Sequence, residues 1–491
     1  MNLLNETKLI DYLIGGTGII YMIFAAATTV DPIITSLLLL VINGYIIWRV
    51  RHNRLLLILF GIIGYANYGV VSANYLNPIG GTLYTIYSGT KEAHLALIIL
   101  VAFISIVVCL LPSRIKHFAF GDSLPSKNRP NNFLLACLLI SLICICVFGF
   151  ARPENLGTER SDPSALYEYS TIFFIVAFYF AGHSKLAKSA VLSLLIIYAV
   201  QNLIYGGRVT ALQLILVAFL FMFSKRTRTS LLIVIVLIGF VFFLGFGMVR
   251  TQIWDQGLSS VIDGFCLRLS NGLAWDTAYS SWHTSITFII FGESISGSEH
   301  LHYLFSWLAS IFLGGSVPDS RLPLVTESYY LHFGGGFLPI YAWFYFGIAG
   351  IVLVAFAVLA IVYGVNKIEK QVALFKNVLI LDLVYLVITV PRWYLYSPSQ
   401  LTRGLLLCTL VCIFLLLIDR WMSRKPAKDL LLNESAGEII ENKSTSLNWT
   451  FNSHSSKYSR KSQLYVRALN QKKNPDRKAI DNCALYRDSA S

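Results

Sequence analysis

The sequence predicts an all-α, polytopic integral membrane protein with about twelve transmembrane helices and one long extracytoplasmic loop. Three observations carry this. Of the 491 residues, 56% are hydrophobic and 13% charged, where a soluble domain is about a quarter charged. Apolar runs of about 17–25 residues, each able to cross a bilayer as a helix, recur along the chain. Basic residues gather in alternate connections, as the positive-inside rule requires of a chain that crosses repeatedly.

The expected spans are 9–28, 33–48, 55–71, 93–111, 133–150, 169–181, 190–204, 209–223, 231–248, 338–362, 378–390 and 405–418. The opening stretch MNLLNETKLIDYLIGG has no basic n-region and no small-residue cleavage site, so its apolar run reads as a retained helix. Basic connections hold Arg49, Arg51 and Arg54; Arg114, Lys116, Lys127 and Arg129; Lys185 and Lys188; Lys225, Arg226 and Arg228; and Lys367, Lys370 and Lys376. All fall on one face if both termini are cytoplasmic. Residues 1–423 then form the membrane domain. Residues 424–491 are polar, rich in Ser, Asn, Lys and Arg, and read as a basic, disordered cytoplasmic tail.

About half of the net charge of +13 lies after Asp419. Such a balance suits anionic membrane lipids. No basic stripe with interleaved aromatics marks a nucleic-acid surface. The eight cysteines form no disulfide pattern. Cys408 and Cys412, on one expected helix, read as small hydrophobes. No P-loop, dinucleotide fingerprint or GxSxG elbow is present.

The long outer loop, about 249–337, contains no lysine. It holds Arg250, Arg268 and Arg321, with the acids Asp319 and Glu327 and the histidines His283, His300, His302 and His332 among its polar residues. Two apolar pieces inside it, 285–291 and 301–313, are short for spans and read as interfacial or re-entrant. On or near the same face fall Arg152, Arg160, Arg208, Arg392 and Arg403, with Lys91 the one lysine. Arginine presents a planar fork that pairs with phosphate oxygens, which lysine cannot do. The bland alternative is pairing with neighbouring carboxylates or snorkelling to headgroups.

Gly206-Gly207-Arg208 sits where one helix reaches the outer face and the next returns. Glycines permit a tight turn and close approach to a ligand, and the helix start adds free amides. Glu327-Ser328-Tyr329-Tyr330 and His332 precede Gly334-Gly335-Gly336. A carboxylate or imidazole at an apolar boundary suits a general base; a cap or salt bridge is the rival reading for Glu327. His300-Leu301-His302 lacks helical metal-ligand spacing, so no metal site is expected there.

These features together resemble the O-antigen polymerase family, the Wzy-type oligosaccharide repeat-unit polymerases. Gly206-Gly207-Arg208 with its basic follow-on Lys225-Arg226-Thr227-Arg228 carries the resemblance. So does the outer loop ending in Glu327-Ser328-Tyr329-Tyr330 and running into Phe346-Gly347-Ile348-Ala349-Gly350. The resemblance implies transfer of a growing glycan from undecaprenyl pyrophosphate onto a new lipid-linked repeat unit, at the outer face of a bacterial inner membrane. It implies no cofactor and no required metal, and a chain-length regulator as a partner. In that scheme Arg208, Arg250, Arg268 and Arg321 bind pyrophosphate, and Glu327, His332 or Asp319 is the base. An O-antigen ligase and a lipid-linked oligosaccharide flippase are the alternatives. A flippase would place charges in mid-membrane.

The alternation of basic loops predicts that a cysteine at Ser298 reacts with an impermeant thiol reagent from outside intact cells and that one at Lys127 does not. The reverse labelling would overturn the orientation.

Overall fold

The computed structural model describes residues 3–28, 31–71, 87, 89–116, 130–150, 164–205, 207–224, 227, 277–332, 334–368 and 373–445, with isolated positions between 231 and 266. Met1–Asp419 forms one compact unit and Arg420–Ser491 a second. Regular structure among the described residues is helical throughout. In lipid this is the economical solution, because a helix satisfies every backbone polar group within its own segment.

Four helices open the chain: α1 (Leu3–Ala27), α2 (Pro32–Val50), α3 (Arg54–Val71) and α4 (Lys91–Leu110). Asp31 caps α2 through the amide of Ile33, and Thr90 caps α4 through that of Ala93. Each side-chain oxygen satisfies one of the free donors at a helix start. Next come α5 (Asn132–Phe148), the short α6 (Ala165–Glu168), α7 (Ser170–Ala181), α8 (Lys185–Ile204) and α9 (Arg208–Ala218), which runs on as a π-helical turn over Phe219–Phe223. The later chain forms α10 (Thr277–Ser294), α11 (Gly297–Leu313), α12 (Leu322–Glu327), α13 (Leu338–Phe346), α14 (Ile348–Lys367), α15 (Ala373–Ile388), α16 (Val390–Leu395) and α17 (Ser399–Thr445).

Seven helices among the described residues are long and apolar enough to cross a membrane: Glu6–Ala27, Pro32–Val50, Arg54–Val71, Lys91–Leu110, Lys185–Ile204, Ile348–Lys367 and Ser399–Met422. Asn132–Phe148, Ser170–Ala181 and Arg208–Phe223 are apolar but shorter. The expected span 231–248 falls almost wholly outside the described residues.

The single span expected over 338–362 is corrected. It breaks at Gly347, whose φ of +59° favours glycine. The two pieces, α13 and α14, fold against each other, and a Cβ at Gly350 would collide with the carbonyl of Ala342. The final helix also extends to Thr445, into the segment expected to lack helical order. Residues 427–441 hold three Leu, three Glu and two Ala, which favour continuing a helix already nucleated upstream.

Polar contacts gather the helix ends into two faces. On one, Lys8 donates to the carbonyls of Cys109 at 2.7 Å and Leu111 at 2.6 Å. Arg49 pairs with buried Asp11 at 3.1 Å and donates to Ser113 O. Arg54 reaches Thr227 O, and the Lys116 amide donates to Asn366. This is the lysine- and arginine-rich set that the alternation assigns to a single face.

The long loop expected over 249–337 holds three helices among its described residues. Residues 249–276 lie almost wholly outside the described ones, but from Thr277 the chain is helical. The piece 285–291 is the middle of α10, with Trp282, Ile286 and Phe288 fully buried. A Cβ at Gly69, near the end of α3, would lie 2.9 Å from Ala278. At the other end of α10, Glu293 pairs with Lys91 at the start of α4 at 3.0 Å. The helix therefore lies across the ends of α3 and α4 that face away from the basic set. By contrast, α11 shows Leu301, Phe305, Leu308 and Phe312 to the outside, an apolar stripe that suits an interface.

Overpacking a tight helix contact costs about 1–3 kcal/mol. Gly350→Ala is therefore expected to lower the melting temperature of the detergent-solubilised protein. Gly61→Ala, whose Cβ would meet nothing within 4 Å, should leave it unchanged; equal melting of both variants would refute the packing of α13 on α14.

Candidate functional site

Away from the basic face, side chains from six segments converge. The local sequence sets the first of them. The amide of Gly207 donates to Asn202 O at 2.6 Å, and a Cβ at Gly207 would lie 2.5 Å from Asn202 Oδ1. Only glycine fits so close a turn. Asn202 itself is held by Tyr198 O and the hydroxyl of Tyr167, which in turn donates to Gln201. This network seats Arg208 as the first residue of α9, half-exposed at the helix start.

Two residues on, Thr210 accepts from Arg392 Nη2 at 2.7 Å. Arg392 Nη1 lies 2.9 Å from Glu168 Oε1, with side-chain exposures of 15% and 35%. So much of the guanidinium is withdrawn from water that the pair is worth more than a surface bridge. The next residue, Tyr169, lies under Arg403, whose guanidinium carbon is 5.8 Å from the ring centroid. On its other side Arg403 meets Gly314: a Cβ there would lie 3.3 Å from Nη1. Gly315 sits directly beneath the guanidinium of Arg321. Arg392, Arg403 and Arg321 thus follow one another through shared neighbours, and Arg208 begins the helix that supplies Thr210.

Among the described residues, Glu168 pairs with Arg392, and Asp319 lies 3.1 Å from His302 Nε2. Asp319 is the one non-glycine residue with positive φ among the described residues, at +58°, a conformation aspartate tolerates better than most. Guanidinium groups gathered in this way present forks that can pair with an anion's oxygens.

Of the expected pyrophosphate ligands, Arg321 belongs to this array and Arg208 begins the helix that supplies Thr210, while Arg250 and Arg268 lie outside the described residues. Arg392, Arg403, Glu168 and Thr210 complete it and were missed as site residues. The signal available was the bias to arginine over lysine on this face, which already contained Arg392 and Arg403.

The three expected bases differ in setting. Glu327 ends α12 with its side chain exposed, and no ion pair holds it among the described residues. Asp319 is engaged by His302. His332 is buried, its Nδ1 accepting from the Gly334 amide at 3.1 Å and its Nε2 lying 2.9 Å from Thr326 Oγ1. With Nδ1 an acceptor, Nε2 carries the proton of the neutral ring. Its lone pair is spent on the backbone, so the residue anchors the loop before Gly334-Gly335-Gly336. That loop is pinned again where the Gly336 amide donates to Leu395 O at 2.8 Å.

An open cleft of about 370 Å³ lies among Leu95, Phe288, Ile289, Trp343 and Phe344, with Glu293 and His300 at its polar edge.

Burial pushes the His332 imidazole below its ordinary value, against a smaller opposing pull from Glu327. A folded-state value below the unfolded one contributes stability above about pH 6.5 that is lost as pH falls. Protection factors at residues 328–337, which correct for the intrinsic slowing of amide exchange in acid, should therefore fall between about pH 7 and pH 5. The fall should vanish in His332→Asn; protection factors flat with pH in the wild type would count against the buried neutral ring.

Compared with known proteins, the chain matches no family model, no curated protein and no solved structure.

Proposed function

We propose that the chain is a membrane glycosyltransferase that polymerises undecaprenyl-pyrophosphate-linked oligosaccharide repeat units into O-antigen or capsular polysaccharide. It would act at the outer face of a bacterial inner membrane, with both termini cytoplasmic. The observation that carries this is the arginine array, Arg392, Arg403 and Arg321, with Arg208 at the start of the helix that supplies Thr210, at helix ends opposite the basic face. A lipid pyrophosphate leaving group develops negative charge as its bond to the sugar breaks. Fixed guanidinium forks stabilise that charge without reorganising.

In the reaction, the acceptor hydroxyl on the incoming repeat unit bonds to the anomeric carbon of the growing glycan. The bond from that carbon to the pyrophosphate oxygen breaks, and the pair of electrons leaves with the lipid pyrophosphate. A base takes the hydroxyl proton. Glu327 is the candidate favoured by its exposed carboxylate, which no ion pair holds among the described residues; His332 has its lone pair committed, and Asp319 is engaged by His302. The apolar cleft lined by Phe288, Trp343 and Phe344 supports a lipid-borne substrate. Positioning two lipid-held substrates on one surface supplies much of the remaining acceleration.

A ligase would share the donor and differ in the acceptor, and the lipid-linked glycan of a deletion strain separates the two. Single lipid-linked repeat units mean a polymerase; long unattached chains mean a ligase. In complemented strains Arg208→Lys keeps the charge but loses the fork and should impair chain growth. Arg208→Ala should lower it by about 100-fold or more. Glu327→Gln should abolish growth at normal protein abundance while still binding the lipid-linked repeat. Wild-type chain lengths from Arg208→Ala at matched abundance would falsify the pyrophosphate role.

A further inference from the structure

Inside the bundle, away from the arginine array, two cysteines meet one aspartate. Cys408 and Cys412 lie one turn apart on α17, and Asp382 faces them from the middle of α15; all three are buried. The sulfurs are 3.9 Å apart. A carboxylate oxygen of Asp382 and both sulfurs lie within 4.8 Å of one another. Thr409 donates to Asp382 Oδ2 at 2.9 Å, while Oδ1 is buried without a hydrogen-bond partner among the described residues. Asp382 is only 8% exposed. A buried, unpartnered carboxyl oxygen is costly in apolar surroundings, and inside a membrane bundle an ionisable group is a functional-site candidate.

The geometry points to a ligand. Residues at i and i+4 on a helix present two donor atoms to one ion, and a third donor from a neighbouring helix closes the face. Zinc–thiolate bonds of about 2.3 Å in tetrahedral array separate two sulfurs by about 3.8 Å. The observed separation matches that value with no movement of α17. Thiolates select soft ions; magnesium and calcium require shells of oxygen donors that are absent from this trio.

We propose that Asp382, Cys408 and Cys412 bind one soft divalent cation of the zinc class, tying α15 to α17. On binding, each thiol releases its proton to solvent and each sulfur forms one bond to the ion. The charges of two thiolates then cancel those of the ion. Asp382 adds Oδ1 as the third donor, oriented by the bond from Thr409 to Oδ2, as outer-shell partners orient metal ligands. The clip joins the helix leading to Arg392 on α16 with the helix that carries Arg403 near its start, and so holds the spacing of two arginines of the array. It does not depend on what that array binds.

The test uses the full-length protein in detergent, reduced, stripped with a chelator, equilibrated with zinc chloride and desalted. Metal per chain is then measured by mass spectrometry. One zinc per chain is expected in the wild type and in Cys137→Ser/Cys144→Ser, whose cysteines are exposed on α5. Loss to background is expected in Cys408→Ser/Cys412→Ser. Cadmium in place of zinc should give a thiolate charge-transfer band in the first two proteins and none in the third. If the double-cysteine variant does not accumulate, Asp382→Asn replaces it, with zinc affinity lower by at least the roughly tenfold that loss of an outer-shell partner costs. A wild type that retains no zinc, full retention by the 408/412 variant, or undiminished affinity in Asp382→Asn would each overturn the site.

Discussion

A polar group that enters an apolar bundle has to find its partner there, and most of this structure can be read from that constraint. Desolvating a charge is expensive, and removing one member of a buried ion pair costs about 3–5 kcal/mol. Asp11, fully buried on α1, is met by Arg49 of α2 and the hydroxyl of Tyr45. Deeper in the bundle, Tyr394 donates to Asn67 at 3.2 Å, Asn67 to Asn43 at 3.1 Å and Asn43 to Leu39 O at 2.7 Å. That chain joins α16, α3 and α2. Each bond adds only about 0.5–1.5 kcal/mol, but a slipped register would leave a buried amide unmet. Arg392 is two residues from Tyr394, so the same chain fixes the arginine nearest the middle of the array.

The two faces meet the constraint differently. On the basic face, cations answer backbone carbonyls: Lys8 takes those of Cys109 and Leu111 at the end of α4, and Arg51 takes that of Trp48. Carbonyls at helix C-termini are the negative ends of helix dipoles, so the cations lie where the helices favour them. On the opposite face, Arg208 stands at a helix start, where the dipole repels it. Arg392 and Arg403 find one carboxylate and one aromatic ring.

The connection that carries Glu327 is anchored at both ends and open between. Asp319 and Gly314 turn it with positive φ on one side, and Gly334 and Gly335 do so on the other. His332 and the Gly336 amide then fasten it to α12 and α16. The carboxylate is thus exposed on a segment whose two ends are fixed.

Much of this was legible in the sequence because the bilayer is a simple solvent. Apolar run length and the alternation of Arg49, Arg114 and Lys367 are one-dimensional signals, and the helices that follow satisfy their own backbones. The glycine turn before Arg208 was legible for the same reason: it is local. The break at Gly347 was not, because an apolar run looks the same whether or not it folds back on itself. Nor was the burial of α10, which depends on the ends of α3 and α4 lying beneath it. Arg392 was one of the arginines that the expected topology gathered on one face, but its contact with Thr210 and Glu168 spans residues distant in the chain. The same holds for Asp382 against Cys408 and Cys412. Composition and periodicity determine what must be buried or wet; which polar groups meet is decided only when helices far apart in sequence pack, because the partner of each is supplied by another element.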